Sequence, residues 1–156
     1  MIATSPISPV DEEFLFLLYA NVREPEMQAS GFDETMKQAF LRMQWNAQRA
    51  AYAMRYPHAN HERILVENVP VGRMLTNRSD TELRLVDLSI LSAYRNRGFG
   101  THLLEALKQE ASASRLTLSL SVLRGNPARR LYERMGFASA GGDDVYEQMN
   151  WSLPPI

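Results

Sequence analysis

The spacing of apolar and polar positions divides the chain into a helical first part and a strand-rich second part. Phe14, Leu17, Leu18 and Val22 recur at helical intervals. Ser8-Pro9-Val10-Asp11 precedes them as a helix start. Ser8 can cap, Pro9 suits the first helical position, and Asp11 favours the positive helix end. Pro25 and Gly31 mark a break after this helix. A second helix opens at Asp33 or Thr35. Along it Met36, Phe40, Met43, Ala47, Ala50 and Met54 recur at three- and four-residue intervals. That spacing predicts one apolar stripe that packs into the core, and Pro57 ends the helix.

The period then shortens. Arg63 to Glu67, Pro70 to Thr76 and Glu82 to Leu91 read as strands, with turns at Asn68 and at Asn77 to Asp80. Two short turns between three strands predict an antiparallel meander. Gly98 to Ala111 reads as a helix with Leu103, Leu104, Leu107 and Ala111 on one side. Leu116 to Val122 alternates as a strand, and Pro127 to Met135 reads as a helix stopped by Gly136. Phe137 to Ser139 and Val145 to Trp151 are the last strands, around Gly141-Gly142, and Pro154-Pro155 follows. Residues 82 to 122 form a strand–helix–strand crossover, so their two strands are expected to be parallel. The fold class is α/β: a mixed sheet with helices covering its faces.

Composition narrows the function classes. The 156 residues predict a single domain, 1–156. Lys plus Arg is 17 against 18 for Asp plus Glu, so no basic excess points to a nucleic-acid partner. The chain has no cysteine, which removes cysteine nucleophiles, thiolate metal sites and disulfide scaffolds. The first basic residue is Arg23, and the longest strongly apolar run, Phe14 to Val22, is nine residues. A membrane span needs about 18 or more. The expectation is a cytoplasmic protein with no secretory leader and no membrane partner.

The sharpest motif is Arg95-Asn96-Arg97-Gly98-Phe99-Gly100-Thr101, which follows a strong strand and opens a helix. Glycines let a ligand approach the backbone, amides at a helix start attract phosphate oxygens, and two arginines add fixed positive charge. The lysine of a Walker loop is absent, and only one Gly-x-Gly is present. A second block, Asn126-Pro127-Ala128-Arg129-Arg130-Leu131-Tyr132-Glu133-Arg134-Met135-Gly136-Phe137, follows the next strand.

The first block resembles the acyl-CoA pyrophosphate loop of the GNAT N-acetyltransferase superfamily. The second resembles that family's Asn…Leu-Tyr…Gly-Phe block, with the alanine displaced to Ala128. The well-matched region is about 82 to 151. The resemblance implies a mostly antiparallel sheet splayed at one parallel pair, with helices on both faces. It also implies acetyl-CoA as donor, a primary amine as acceptor and a ternary complex with no covalent enzyme intermediate. A non-catalytic acyl-CoA-binding module, or an acetyltransferase of protein N-termini or lysines, is the alternative.

Residue roles follow from the same resemblance. Arg95 through Thr101 would hold the pyrophosphate, and Ser89, Ile90 and Leu91 would pair with the pantetheine amides. Asn126 and Arg129 would contact the coenzyme arm. A backbone N–H near Ile90 or Leu91 would polarise the thioester, and Tyr132 would protonate the departing thiolate. On the residues alone Tyr132 reads as a core aromatic on an amphipathic helix, and Asn126 equally as a helix cap before Pro127. Some family members carry a glutamate on the preceding strand where this chain has Arg84. Asp87 is then a base candidate or a structural carboxylate, and Glu82 a solvated strand residue. His58, His61 and His102 form no triad, and no metal is implied. Glu24, Glu26 and Asp33 would suit a cationic acceptor or simply line a solvated loop. Tyr19, Trp45 and Tyr52 would line a pocket or fill the core. The family is often dimeric, so a homodimer is a further expectation.

Overall fold

Residue patterning becomes a seven-stranded sheet and five helices in the computed structural model, which describes residues 1–152. The elements are β1 (Ile2–Pro6), α1 (Glu12–Val22), α2 (Glu24–Ser30), α3 (Glu34–Arg55), β2 (Asn60–Val66), β3 (Val69–Arg78) and β4 (Glu82–Ile90). They continue with α4 (Phe99–Ser114), β5 (Thr117–Leu123), α5 (Ala128–Arg134), β6 (Ala138–Gly142) and β7 (Tyr146–Trp151). Short 3-10 turns occupy Pro9–Asp11 and Ser92–Tyr94. The strand order is β1-β2-β3-β4-β5-β7-β6. As expected, β4 and β5 are parallel and the sheet is otherwise mostly antiparallel. Pro154-Pro155 lies outside the described residues. No described helix is long and apolar enough to cross a membrane.

The chain clusters into two compact units. One holds residues 1–74 and 88–95; the other holds 75–87 and the residues from 96 on. In the first, Leu15, Phe16, Tyr19, Met27, Leu41 and Trp45 form a buried cluster flanked by Ile7, Phe14 and Phe32. The helix start expected at Ser8 forms as a reciprocal box. Ser8 N–H donates to Asp11 Oδ2 at 2.9 Å, and Ser8 Oγ lies 3.3 Å from the same oxygen. Asp11 is buried, and its other oxygen accepts from Arg63 at 3.2 Å. Arg63 Nε also donates to Ser5 Oγ at 2.7 Å, so one guanidinium joins β1, β2 and the start of the first helix. The β2–β3 turn is two residues, Glu67 and Asn68, both left-handed, as a tight hairpin requires.

Two expectations are corrected. The break assigned to Pro25 is instead α2: the proline sits in its first turn, where its missing N–H is not needed. Gly31, at φ 76°, closes that helix in the left-handed region. The stripe of α3 also turns the other way. Leu41 and Trp45 face the core, while Met36, Met43 and Met54 are 52%, 61% and 85% exposed. Ala47 and Ala50 are exposed too. Aromatic and polar anchoring decides the face. Trp45 packs on Phe16 with centroids 5.4 Å apart, and Arg42 and Arg49 stack on Phe16 and Trp45. Gln48 accepts from buried Arg73 at 2.9 Å.

In the second unit the pattern holds. Leu103, Leu104, Leu107 and Ala111 are buried on α4, which packs on β5. Leu118, Leu120 and Val122 are the buried residues of one β5 face. The sixth strand runs later than expected, through Gly141 and Gly142, because both glycines adopt positive φ in an irregular register with β7.

Replacing Asp11 with alanine removes the cap and leaves Arg63 without its carboxylate. We expect unfolding free energy to fall by about 2–4 kcal/mol, read by urea denaturation. A change within error would show that the box does not organise this corner.

Candidate functional site

The parallel ladder runs from Glu82–Thr117 to Leu85–Leu120, and both strands continue past it. In the first unit, the end of β4 is shaped by a residue the sequence reading missed. A Cβ on Gly72 would collide with the Ser89 carbonyl oxygen and crowd Ile90 Cα at 3.2 Å. A glycine inside a strand is the signal for such a close backbone approach. Beyond it, Leu91 N–H donates to Val71 O at 2.8 Å, and Arg95 Nε donates to Ile90 O at 3.0 Å. A second missed residue, Asn21, holds the following turn at two points. Its Nδ2 donates to Ser92 Oγ at 3.2 Å, and its Oδ1 accepts from Ser92 N–H at 2.8 Å. No local pattern announces a pairing 71 positions apart.

In the second unit, Asn96 (φ 61°) and Gly98 (φ 84°) bend the loop through the left-handed region and deliver the chain into α4. His102 N–H makes the helical bond to Gly98 O at 3.0 Å. The amides of Phe99, Gly100 and Thr101 precede it and are the orphan donors of a helix start. The first turn of α4 carries no acidic side chain and no side-chain cap. These donors point along the positive end of the dipole, the chemistry of an anion site. A Cβ on Gly98 would meet no atom within 4 Å, so open space adjoins the loop.

Tyr132 and Asp87 come together in this unit. Burial pushes the Tyr132 hydroxyl pKa up, and the negative charge of Asp87 pushes it further. The hydroxyl therefore stays protonated and is a hydrogen-bond donor across the neutral range. Its ring meets Phe137 edge-on with centroids 5.8 Å apart. Asn126 takes the capping role: its Oδ1 accepts from Ala128 N–H at 2.9 Å. Arg129 is engaged by carboxylates, with Nε on Glu147 at 2.6 Å and one terminal nitrogen on Glu133 at 2.8 Å. The Arg129 bond, seconded by Ser139, holds the buried Glu147 carboxyl down at about 2. On β4 itself, Arg84 joins the strand to its neighbours. It donates to Ser121, and to Gln148 Oε1 at 3.1 Å.

The acceptor candidates belong to the first unit. Tyr19 and Trp45 are in its core cluster. Burial raises the Tyr19 pKa, against the guanidinium of Arg23, which lies 3.5 Å from the ring centre. Glu24 pairs with Lys37 at 3.5 Å, Asp33 caps α3 through Met36 N–H at 2.8 Å, and Glu26 is exposed. Tyr52 is half-buried, with Arg73 5.9 Å from its ring centre.

A family model described as an acetyltransferase (GNAT) domain matches residues 60–139. No curated protein matches the chain by sequence. Among solved structures, the chain is similar to the PaiA N-acetyltransferase of Thermoplasma acidophilum in complex with coenzyme A. Identity there is 18%, TM-score 0.72, and the match covers 98% of this chain and 99% of that one. An acetyltransferase from Thermus thermophilus matches at 18% identity and TM-score 0.70, over 98% and 97% of the two chains. The ribosomal-protein-S18-alanine N-acetyltransferase of Escherichia coli matches at 18% identity and TM-score 0.66, over 100% and 96%.

The Glu147 carboxyl fixes a pH window. Its pKa is about 2 in the fold against an ordinary 4.5. The unfolded chain therefore binds more protons between these values, and stability falls as pH drops through them. The contribution is complete above about 4.5 and gone near 2. We expect the melting temperatures of wild type and Glu147→Gln to differ at pH 6 and converge as pH approaches 2. A constant gap would show that the pair is not what acid removes.

Proposed function

Because the chain belongs to the GNAT acetyltransferase family and is an acyltransferase, we propose that it moves an acetyl group from acetyl-CoA to a primary amine, by direct attack in a ternary complex. The observation that carries this reading is the start of α4. It combines left-handed Asn96 and Gly98, an uncapped first turn and no acidic residue in that turn, in the motif Arg95-x-x-Gly98-x-Gly100. Amides from Arg95 to Thr101 bind the pyrophosphate. The backbone at Ser89, Ile90 and Leu91 takes the pantetheine amides as an added strand edge.

The amine nitrogen forms its bond to the thioester carbonyl carbon, and the C–S bond breaks. An alkylammonium, with a pKa near about 10.4, must first lose a proton. Asp87 takes that proton, directly or through water. Charge grows on the carbonyl oxygen, where a preorganised backbone donor stabilises the transition state. Leu91 N–H is engaged by Val71, so we assign that donor to Ile90. Tyr132 gives its proton to the departing sulfur, and the second proton of the attacking nitrogen, released as the amide forms, returns to the Tyr132 oxygen through solvent. Asn126 caps α5 and borders the coenzyme arm. Arg129, engaged by Glu147 and Glu133, serves to fix α5, the helix of Tyr132.

At about 100 times its dissociation constant, acetyl-CoA should add roughly 2.7 kcal/mol of stability and raise the melting point by several degrees. In Gly98→Asp we expect a folded protein whose affinity falls at least about 100-fold, because a carboxylate enters the phosphate site. Equal affinity would overturn the pyrophosphate assignment. Tyr132→Phe keeps the ring and should keep acetyl-CoA affinity. Its turnover, followed by thiol release across an amine panel, should drop roughly 100-fold, the low end for a lost general acid, because the leaving thiolate is already stable. An unchanged rate removes Tyr132 from catalysis. Acetyl-CoA binding without turnover in the wild type favours the binding module.

A further inference from the structure

The exposed face of α3 repeats with a period the core does not use. Met36, Phe40, Met43, Ala47, Ala50 and Met54 are spaced four, three, four, three and four residues apart. That is the 3.5-residue repeat that keeps two helices in contact along their length. Phe40 is half-buried, edge-on to Phe32 at 5.5 Å, and the other five are exposed. Its flanks are Ala39, Gln44, Asn46, Ala51 and Ala53, with charge toward the ends: Asp33, Arg55 and Lys37, the last already paired to Glu24 and Glu34. A small soluble protein seldom leaves a continuous apolar strip in water unless something covers it.

We propose that a second copy of this chain covers it, the two α3 helices pairing antiparallel about a two-fold axis that passes between Met43 and Ala47. Turned end for end, the seam matches itself. Phe40 meets Ala50 of the partner subunit, Met43 meets Ala47 of the partner subunit, and Met36 meets Met54 of the partner subunit. Each bulky residue in the middle faces a small one, the alternation that fills a helix interface without voids. A parallel pair would set Phe40 against its own copy and leave the alanines facing a gap. Charge favours the same orientation. The acidic start of α3, with Asp33 and Glu34, lies alongside the basic end at Arg55, and the helix dipoles oppose. Beside the axis Gln44 and Asn46 face their own copies, where amides hydrogen-bond to each other. The seam is about 27 Å long. Pairing it buries roughly 1,000 Å², the small end of specific interfaces, so dissociation falls in a measurable concentration range.

Sedimentation over about 1 to 500 μM tests this, the range in which a small interface dissociates. The mass should rise from 17.8 kDa to twice that value with concentration. Met43→Glu should stay at 17.8 kDa, and at a concentration where the wild type is monomeric its melting point should match, since Met43 is 61% exposed. Orientation is read by cysteine trapping, which is clean because the chain has none. Mixed Met36→Cys and Met54→Cys chains should cross-link to each other under mild oxidation, and neither should cross-link to itself. A monomer at every concentration overturns the proposal. So does a dimer that Met43→Glu leaves intact, or Met36→Cys chains that cross-link among themselves.

Discussion

Four parallel residue pairs, Glu82 to Leu85 on Thr117 to Leu120, set the order of everything that follows them in the chain. Parallel neighbours cannot be joined by a tight turn; they need a crossover. The helix α4 is that crossover, with its apolar side of Leu103, Leu104, Leu107 and Ala111 buried. A helix entered from the end of a strand presents its positive terminus there. The chain reaches it through two left-handed residues, Asn96 and Gly98. The orphan amides at the start of α4 are thus a by-product of strand direction, sharpened by residue choice: a glycine where the chain turns left-handed and no acid in the first turn.

Buried carboxylates held by arginines recur in both units. In the first, Asp11 and Arg63 tie a helix start to two strands. In the second, Glu147 on β7 holds Arg129 on α5. An unpaired charge in such places would be costly, and removing either partner leaves the other exposed to that cost. The second pair has a functional reach, because Tyr132 lies one turn along α5 from Arg129. The position of the proposed proton donor depends on a carboxylate supplied by a different strand.

Much of this was legible in the residues. The crossover could be read because its strands alternate Leu, Val and Ile with polar residues and its helix carries one clear apolar side. The loop motif could be read because glycine and arginine have few other reasons to stand together at a helix start. The face of α3 could not. Its methionines and alanines have the better apolar pattern, but Leu41 and Trp45 took the core, while the exposed Arg42 and Arg49 stack on Phe16 and Trp45. Pro25 was read as a stop because a proline ends a helix from inside and starts one from its first turn, and spacing alone does not separate the cases. The two-point hold of Asn21 on Ser92 left no local trace, since both are ordinary polar residues far apart in the chain. Gly72 did leave one, an isolated glycine in a strand.

The strand order β5-β7-β6 carries a consequence for synthesis. The sixth strand leaves the ribosome before the seventh, yet it reaches the sheet only through the seventh. A nascent chain stopped at Gly142 therefore has β5 with an open edge and β6 with nothing to pair against. Glu147 is also missing, so Arg129 has lost its buried partner and α5 its anchor. At roughly 5–20 residues per second the remaining strand follows within seconds. During that interval the backbone edge along Leu118 to Leu123 is the surface a chaperone, or another nascent chain, meets first.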